Sequence, residues 1–321
     1  MTRVAVDLLG GDGEPGAVVD GVVDALGADQ ALEVSVVGPP RITERLLAER
    51  GPDFGDRLRV VAASQVVGPG EDAAREVRSR RDATVRVAAR LVRDGAVDAM
   101  VSAGPSEAVV AASSFALGPL PGATRPALAV VLGSSRGPTV LLDAGAAVDA
   151  NADHLAQCAV IGSNYATICL RVARPRIGLL SAGPGRWDGL RRGVGDLITE
   201  LGLDFIGAVD AATVVAGGEA DVVVSDGFTG AVLVSCLRAV APAVAESPWT
   251  SSGWYLREGA FVVGVDGIVV VVGGRPVVSG GAVARAIADA CAAQRVGWMP
   301  RQRAVFGGIV AHRRVRAGLS V

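Results

Sequence analysis

The chain contains no lysine, so all 31 of its basic residues are arginines. Schiff-base chemistry and general-base catalysis by lysine are therefore excluded. Aromatic residues make up only 4% of the chain, and the formal net charge is −2. This composition argues against a nucleic-acid-binding protein, which would need a basic surface and side chains on which bases can stack.

Histidine and cysteine are also scarce. The two histidines are His154 and His312, and the four cysteines show no CxxC spacing. This pattern argues against a zinc site, and we predict neither a metal nor a cofactor. Each cysteine lies in an apolar helical context, which indicates buried, reduced thiols: Cys158, Cys169, Cys236 and Cys291.

His154 lies four residues before Cys158, so the two side chains share a face of a predicted helix. A cysteine–histidine nucleophile pair would need both side chains in an open cleft. The surrounding sequence, DHLAQCAVIG, is typical of a buried helix face. We therefore favour a structural role for this pair over a catalytic one.

Long apolar runs are absent as well. The longest candidate, GIVVVVGG, is far too short to span a bilayer, which takes roughly 18 residues or more. The opening MTRVAVDLLGGDG enters a strand-like run and lacks the layout of a signal peptide. We expect a cytoplasmic protein, for which any membrane contact would be peripheral.

Short valine-rich strands alternate with helical patterns along the chain. The predicted strands are 3–8, 32–37, 58–63, 97–102, 127–132, 138–142, 176–181, 204–208, 221–225 and 261–272. The predicted helices are 16–26, 40–50, 83–94, 106–116, 151–170, 187–200, 229–243 and 281–293. Continuous apolar strands between amphipathic helices predict an α/β fold with parallel strands covered on both faces.

Glycine is concentrated in five loops that follow predicted strands. These are GGDGEPG (10–16), SAGPSE (102–107), DAGAAVDAN (143–151), SAGPGRWDG (181–189) and SDGFTG (225–230). Backbone N–H groups in such loops bind anions, so we predict that the five converge on one phosphate-sized crevice. Tight turning is the alternative role for each glycine alone. None of the loops matches GxGxxG or a Walker motif, so a standard dinucleotide or ATP site is not indicated.

The C-terminal segment differs from the rest of the chain. QRVGWMPRQRAVFGGIVAHRRVRAGLSV holds six arginines and no acidic residue. We predict an α/β domain over residues 1–294 and an Arg-rich tail over 295–321. Two interpretations of the tail stay open, a solvated segment and a docking patch for an acidic partner.

Several segments together resemble one enzyme family. They are RVAVDLLGGDGEP (3–15), RRDATVRVAARLVRDGAVDAMVSAG (80–104), LPGATRPALAVVL (120–132), LLDAGAAVDANADHLAQCAVIGSNYA (141–166), RPRIGLLSAG (174–183), DFIGAV (204–209), ADVVVSDGFTG (220–230) and GVDGIVVVVGG (264–274). In order and spacing they are similar to the PlsX-type phosphate acyltransferase family, the acyl-ACP:phosphate transacylases.

This resemblance implies a three-layer α/β/α fold with a mainly parallel sheet, like that of phosphotransacetylases and isocitrate-type dehydrogenases. It also implies an acyltransferase that converts acyl-ACP and inorganic phosphate into acyl phosphate for phospholipid synthesis. Acyl carrier protein and phosphate are then the expected partners. A homodimer is the expected assembly.

The resemblance also implies the site residues. The expected catalytic residues are Asp226, Arg186 and Asp12. The expected residues for binding phosphate and substrate are Gly10, Gly11, Ser102, Gly104, Ser106, Gly183, Gly227, Thr229, Arg80 and Arg81. For Thr229 and Ser106, helix capping is the favoured alternative role, and for the arginines it is a solvated surface position. For Asp12 and Asp226, a turn or helix-cap carboxylate is the alternative role.

The chain departs from the family pattern where polar or basic side chains are expected. The departures are Gly13, Pro105, Asp188 in place of lysine, Leu190, Ala231 and Gly273. A charge reversal about 4 Å from a phosphate changes the interaction by several kcal/mol before water screens it. We expect Arg186 either to neutralise Asp188 or to clamp the phosphate itself.

Two further hypotheses therefore stand beside an active acyltransferase. The first is a non-catalytic or repurposed homologue that binds acyl-ACP or a protein partner. The second is a nicotinamide-dependent dehydrogenase, which would share only the fold and for which the sequence carries no nucleotide fingerprint.

Overall fold

The computed structural model describes residues 1–10, 15–183, 185–245, 255–273 and 278–316. The chain divides into two compact units. The first unit comprises Met1–Gly118 and Glu258–Met299, and the second comprises Pro119–Arg257 and Pro300–Val321.

The elements alternate between strand and helix along most of the chain. The strands are β1 Thr2–Asp7, β2 Leu32–Gly38, β3 Leu58–Ala62, β4 Ala99–Ser102, β5 Ala127–Ser134, β6 Gly137–Leu142, β7 Arg176–Leu180, β8 Asp204–Val209, β9 Val222–Val224, β10 Tyr255–Val263 and β11 Ile268–Val272. The helices are α1 Pro15–Ala28, α2 Pro40–Arg50, α3 Ala73–Ser79, α4 Thr84–Arg93, α5 Ser106–Leu117, α6 Ala152–Cys169, α7 Val194–Glu200, α8 Ala211–Ala216, α9 Gly227–Ala245, α10 Gly280–Arg295 and α11 Trp298–Arg316.

Strands of the first unit follow the order β3-β2-β1-β4-β11-β10. All neighbours in this series are parallel except β11 and β10, which are antiparallel. Every residue of β4 and of β11 is buried, as expected for parallel strands with helices on both sides. Helix α1 packs against α10, and α4 packs against α5.

Strands of the second unit follow the order β5-β6-β9-β7-β8. β5 and β6 are antiparallel, whereas β6, β9, β7 and β8 are parallel neighbours. The carboxyl ends of β6, β9 and β7 therefore lie side by side, and their following loops meet at one edge. The predicted α/β class with a mainly parallel sheet is confirmed.

The prediction of one strand over 261–272 is wrong. The segment belongs to a hairpin, in which β10 ends at Val263 and pairs antiparallel with β11. Gly264 has a φ of 81° at the start of the turn, a conformation that ends an extended strand. Gly264, Asp266 and Gly267 interrupt the apolar run and are typical turn residues, a signal that the prediction of a single strand overlooks.

The predicted helix over 187–200 begins later than expected. Helix α7 starts at Val194, because Gly193 before it adopts a left-handed conformation with a φ of 79°. Residues 189–193 form a turn that Asp188 stabilises, since its carboxylate accepts a hydrogen bond from the Arg191 N–H at 2.8 Å. This turn places Arg191 where it contributes to the site described below.

Three helices were not predicted: α3, α8 and α11. Helix α11 covers much of the segment predicted as a tail, and its residues Trp298, Gln302 and Phe306 are buried. The domain boundary at residue 294 stays a prediction. Within the described ranges, no helix combines the length and the apolar character needed to cross a membrane.

Candidate active site

Three buried aspartates lie at the carboxyl ends of strands. Asp7 is the last residue of β1, Asp143 directly follows β6, and Asp226 lies two residues after β9. Their exposed fractions are 0%, 0% and 6%, respectively. Buried carboxylates need hydrogen-bond partners, and each of these three binds groups in the loops around it.

In the first unit, Asp7 and Ser102 face each other across neighbouring strands. They are register partners in the parallel pair β1–β4, and the Ser102 Oγ donates a hydrogen bond of 2.7 Å to the Asp7 carboxylate. The Ser102 Oγ also accepts from the Gly104 N–H at 3.1 Å. Complete burial raises the pKa of Asp7, although hydrogen bonds from Thr84, Ser102 and nearby N–H groups oppose this effect.

Gly10 and Gly104 allow the loops after β1 and β4 to touch. A β-carbon on Gly10 would lie 2.7 Å from the Gly104 Cα and 2.6 Å from the Asp7 carboxylate. Any side chain at Gly10 would therefore push the two loops apart. The predicted site residues Gly10, Ser102 and Gly104 thus lie together in the first unit.

Ser106 begins helix α5, directly after Pro105. Its Oγ would lie 3.7 Å from a β-carbon on Gly273, so these positions are neighbours at the end of β11. The loop after β1 also contains the expected site residues Gly11 and Asp12 and the departure Gly13. These three lie outside the described residues.

The paired arginines before α4 differ in their surroundings. Arg80 forms ion pairs with Glu71 at 2.7 Å and with Glu76 at 3.2 Å, and it also donates to the Val66 carbonyl. Arg81 is exposed. Phosphate binding by Arg80 would have to compete with these two carboxylates, and the predicted role of this residue stays a prediction.

In the second unit, Asp226 caps the start of helix α9. Its carboxylate accepts hydrogen bonds from the Thr229 N–H at 2.9 Å and from the Thr229 Oγ1 at 2.8 Å. The first bond satisfies one of the free N–H groups at the start of the helix, and the second, donated by a hydroxyl, holds the Asp226 carboxylate in place. The hydroxyl of Thr229 therefore serves the cap in this structure.

Arg191 links Asp226 to the loop after β7. Its guanidinium forms an ion pair with Asp226, donates to the Leu180 carbonyl at 2.6 Å and forms a second ion pair with Asp188 at 2.5 Å. Burial alone would raise the pKa of Asp226. The hydrogen bonds from Thr229 and the charge of Arg191 outweigh burial and hold that pKa below its usual value.

Arg191, not Arg186, neutralises Asp188. Arg186 is exposed, and its carbonyl accepts a hydrogen bond of 2.8 Å from the Ser181 Oγ. Gly183 in the same loop has a φ of 149°. The turn at 189–193 brings Arg191 back onto Asp188, which sequence spacing alone does not indicate. The role of Arg186 as a phosphate clamp stays a prediction.

Asp143 organises the loop after β6. Its carboxylate accepts hydrogen bonds of 2.7–3.0 Å from four backbone N–H groups: Leu128, Gly145, Ala146 and Ala147. The first turn of α9 packs closely against this loop. A β-carbon on Gly227 would lie 2.5 Å from the Ala147 carbonyl oxygen, and one on Gly230 would collide with the Asp143 carbonyl.

The loops of the second unit offer fewer N–H groups to an anion than the sequence predicts. The Gly227 N–H donates to Ala147, the Thr229 N–H donates to the Asp226 carboxylate, and the Gly230 N–H donates to the Asp226 carbonyl. The N–H groups of residues 145–147 are held by Asp143. These N–H groups, in the loops after β6 and β9, are therefore already engaged by backbone carbonyls or by the buried Asp143 and Asp226.

His154 and Cys158 form a buried contact in helix α6. The His154 Nε2 lies 3.6 Å from the Cys158 Sγ and 3.8 Å from the Asp143 carboxylate. Both side chains are at most 1% exposed, and burial raises the pKa of Cys158 well above its usual value. A buried thiol that stays protonated is a poor nucleophile, which supports the structural role.

Three residues that organise these loops were missed in the sequence: Asp7 in the first unit, and Asp143 and Arg191 in the second. A common signal exists for the two aspartates, since each ends an apolar run just as Asp226 does, in VAVD and TVLLD. For Arg191, the turn that buries it gives no such signal. Within the described part of the chain, no group of three or more His, Cys, Asp or Glu side chains could hold a metal ion.

Comparison with known proteins gives matches along most of the chain. The family model described as "Fatty acid synthesis protein" matches residues 2–246. The phosphate acyltransferase of Heliobacterium modesticaldum is 40% identical over 234 residues, which are 72% of this chain and 69% of that protein. The phosphate acyltransferase of Desulfitobacterium hafniense strain Y51 is 39% identical over 246 residues, 76% of this chain and 72% of that protein.

The fold also matches a solved structure. The crystal structure of a phosphotransacetylase from Streptococcus pyogenes superposes with a TM-score of 0.68 and 19% identity, covering 91% of this chain and 94% of that chain. At this identity the likeness concerns the fold alone. The family match and the two relatives confirm the resemblance found in the sequence, and the chain belongs to the fatty acid synthesis protein family, in which these relatives are named phosphate acyltransferases.

Proposed function

We propose that this protein transfers an acyl group from a thioester to inorganic phosphate. A phosphate oxygen attacks the thioester carbonyl carbon, the new C–O bond forms, and the C–S bond breaks. The proton of the phosphate passes to the departing thiolate, so the products are an acyl phosphate and a free thiol. The match of the fatty acid synthesis protein family to residues 2–246 is the observation that carries this proposal.

The acyl donor in this proposal is acyl-ACP, and the product supplies phospholipid synthesis. Both statements rest on the resemblance to the transacylases. The reaction needs positive charge for the phosphate and hydrogen-bond donors for the tetrahedral oxyanion. Because the chain has no lysine, arginine has to supply that charge in this proposal, and we assign it to Arg191, whose guanidinium donates to the Leu180 carbonyl at the end of β7.

Asp226 has a positioning role in this scheme. It fixes the first turn of α9 through Thr229 and fixes Arg191 through the ion pair. The residues Gly10, Ser102 and Gly104 of the first unit are proposed to contribute to substrate binding, as are Arg186 and Asp12. Precise placement of such groups accounts for much of the rate of reactions that form no covalent enzyme intermediate.

We further propose that the protein is a homodimer in the cytoplasm, with peripheral contact at most to a membrane. One feature of helix α9 supports a contact surface. Phe228, Val232 and Val240 are 62%, 50% and 49% exposed, and their spacing of four and eight residues places them on one face. Apolar patches of this kind mark interaction sites on soluble proteins.

A second candidate is a homologue that binds acyl-ACP without turning it over. Asp188 favours it, because this exposed carboxylate pairs with the buried Arg191 guanidinium. Ala231 and Gly273, which stand where the family carries polar side chains, favour it too. A carboxylate beside Arg191 would repel phosphate, whereas the reaction needs positive charge there.

The two candidate functions predict different results for palmitoyl-ACP, because only an acyltransferase breaks the thioester and releases the free ACP thiol. Purified protein is incubated with palmitoyl-ACP and either phosphate or sulfate, and free ACP thiol is measured over time. The acyltransferase predicts release that depends on phosphate and does not occur with sulfate. Retained ACP binding without release, at enzyme concentrations equal to that of ACP, would favour the binding protein.

A further inference from the structure

We propose that Asp188 occupies the phosphate-binding side of Arg191 and that inorganic phosphate binds by displacing it. Asp188 is then a built-in competitor that lowers the affinity of the site for phosphate. The inference deepens the proposed function and rests on it for the identity of the anion. It assigns Arg191 to bind phosphate and Asp188 to oppose that binding.

Arg191 has two partners that are fixed in place. Its Nε donates to the Leu180 carbonyl at the end of β7, at 2.6 Å. One terminal nitrogen pairs with Asp226, whose side chain is 9% exposed and is itself held by the N–H and hydroxyl of Thr229. These contacts orient the guanidinium without facing solvent.

Asp188 is the third partner, and it differs from the other two in exposure. Its side chain is 56% exposed, whereas that of Arg191 is 8% exposed, and the two are 2.5 Å apart. An anion that approaches Arg191 from solvent therefore meets Asp188 first. Displacing this carboxylate costs little desolvation energy, because more than half of its surface is already in water.

The chemistry of the exchange is favourable for phosphate. A guanidinium presents its N–H donors in a planar fork that accepts either a carboxylate or a phosphate. Phosphate carries more negative charge than the carboxylate and offers more acceptor oxygens. The same guanidinium donor that now binds Asp188 is then available to phosphate, while Leu180 and Asp226 keep the rest of Arg191 in place.

Other donors near this position are already engaged. The N–H groups of residues 145–147 bind Asp143, and those of Thr229 and Gly230 bind Asp226. Among the described parts of these loops, Arg191 is therefore the buried positive charge next to a displaceable partner. This is why we assign the phosphate to Arg191 rather than to a backbone cradle in the second unit.

The substitution Asp188→Asn separates two effects of Asp188, its competition with phosphate for Arg191 and its support of the turn at 189–193. Asparagine keeps the shape and the side-chain oxygen that accepts from the Arg191 N–H at 2.8 Å, so the turn at 189–193 is retained. It removes the charge that competes with phosphate. The matched control is Asp196→Asn, which removes one negative charge from an exposed position of helix α7.

The measurement is equilibrium binding of inorganic phosphate by titration calorimetry at fixed ionic strength. We expect Asp188→Asn to bind phosphate about tenfold more tightly than wild type, since a charge a few ångströms away and screened by water is worth about one factor of ten. Asp196→Asn should bind as wild type does. Unchanged or weaker binding in Asp188→Asn overturns the inference.

Arg191→Gln provides the second variant, with thermal unfolding measured alongside to establish that it folds. A folded Arg191→Gln that binds phosphate as wild type does also overturns the inference. If it does not fold, the comparison of Asp188→Asn with Asp196→Asn still decides the question. Tighter phosphate binding in Asp188→Asn together with no release of ACP thiol by wild type would support this anion site and contradict the proposed acyl transfer.

Discussion

The guanidinium of Arg191 and the carboxylate of Asp226 form a buried ion pair that ties the turn after β7 to the start of α9. Their side chains are 8% and 9% exposed. Each charge offsets part of the cost of burying the other. The pair holds together two loops that the parallel neighbours β9 and β7 bring to one edge of the sheet.

Removal of one partner of this pair should destabilise the protein strongly. We expect Asp226→Ala to lower the free energy of unfolding by about 3–5 kcal/mol, because it leaves the Arg191 charge buried and also removes the cap of α9. Urea denaturation measures the change. Asp94→Ala is the matched control, since its pair with Arg93 is about half exposed on both sides and should contribute far less to stability. Equal losses in both variants would contradict this account.

Asp7 and Asp226 should affect stability in opposite directions as pH changes. Burial raises the pKa of Asp7 in the folded protein above its usual value of 3.8. Wild type should therefore lose stability relative to Asp7→Asn as pH rises from that value through the raised pKa. The pKa of Asp226 is lowered, so its contribution should be complete above the usual value and disappear as pH falls through the lowered pKa.

Urea denaturation of wild type, Asp7→Asn and Asp226→Asn at a series of pH values tests both signs. Each unit of pKa shift corresponds to about 1.4 kcal/mol. If the stability difference for Asp7→Asn did not depend on pH, or changed in the same direction as that for Asp226→Asn, the assigned environments would be wrong.

Two glycine substitutions should have opposite effects. A β-carbon on Gly230 would collide with the backbone carbonyl of Asp143, which cannot move without distorting its loop. We expect Gly230→Ala to destabilise the protein by more than about 2 kcal/mol. Gly27 in helix α1 has nothing within 4 Å of the added carbon, so Gly27→Ala should stabilise by about 0.5–1 kcal/mol. Thermal and urea unfolding of both variants gives the comparison.

The cysteines should differ in reactivity according to burial. Cys158 and Cys291 are buried as predicted, but Cys169 is only partly buried, and the prediction is wrong for Cys236, which is exposed on α9. Burial raises the pKa of Cys158 well above its usual value and that of Cys291 to about 11. We expect a thiol reagent to label Cys236 at least about 100-fold faster than Cys158 in native protein, as followed by peptide mass spectrometry. Fast labelling of Cys158, or loss of activity in Cys158→Ala with retained stability, would contradict its structural role.

The alternation of strands and helices could be predicted because valine-rich runs and amphipathic patterns have distinct periods. The turn between β10 and β11 was missed although Gly264, Asp266 and Gly267 are typical turn residues, because the valine-rich runs on both sides dominate the pattern. Helix α11 was missed for the opposite reason. Its arginines suggested solvent, although Trp298 and Phe306 bury one face of it.

The site was predictable to the extent that it depends on strand order. Loops after parallel neighbours meet, so Ser102 and Gly104 lie beside Gly10, and the loop after β7 lies beside Asp226. The pairing of Arg191 depends instead on a left-handed Gly193 and a turn of five residues. This turn decides which arginine of the segment becomes buried. The spacing of the arginines along the sequence does not predict it. The convergence of all five glycine loops stays a prediction.

Transfer of phosphate into an acyl product tests the account most directly. Purified protein is incubated with palmitoyl-ACP and ³²P-labelled inorganic phosphate, and the lipid-soluble product is treated with hydroxylamine, which cleaves acyl phosphates. The account predicts labelled, hydroxylamine-sensitive product that requires both acyl-ACP and the protein. A protein that binds palmitoyl-ACP yet forms no labelled product at any phosphate concentration would contradict it.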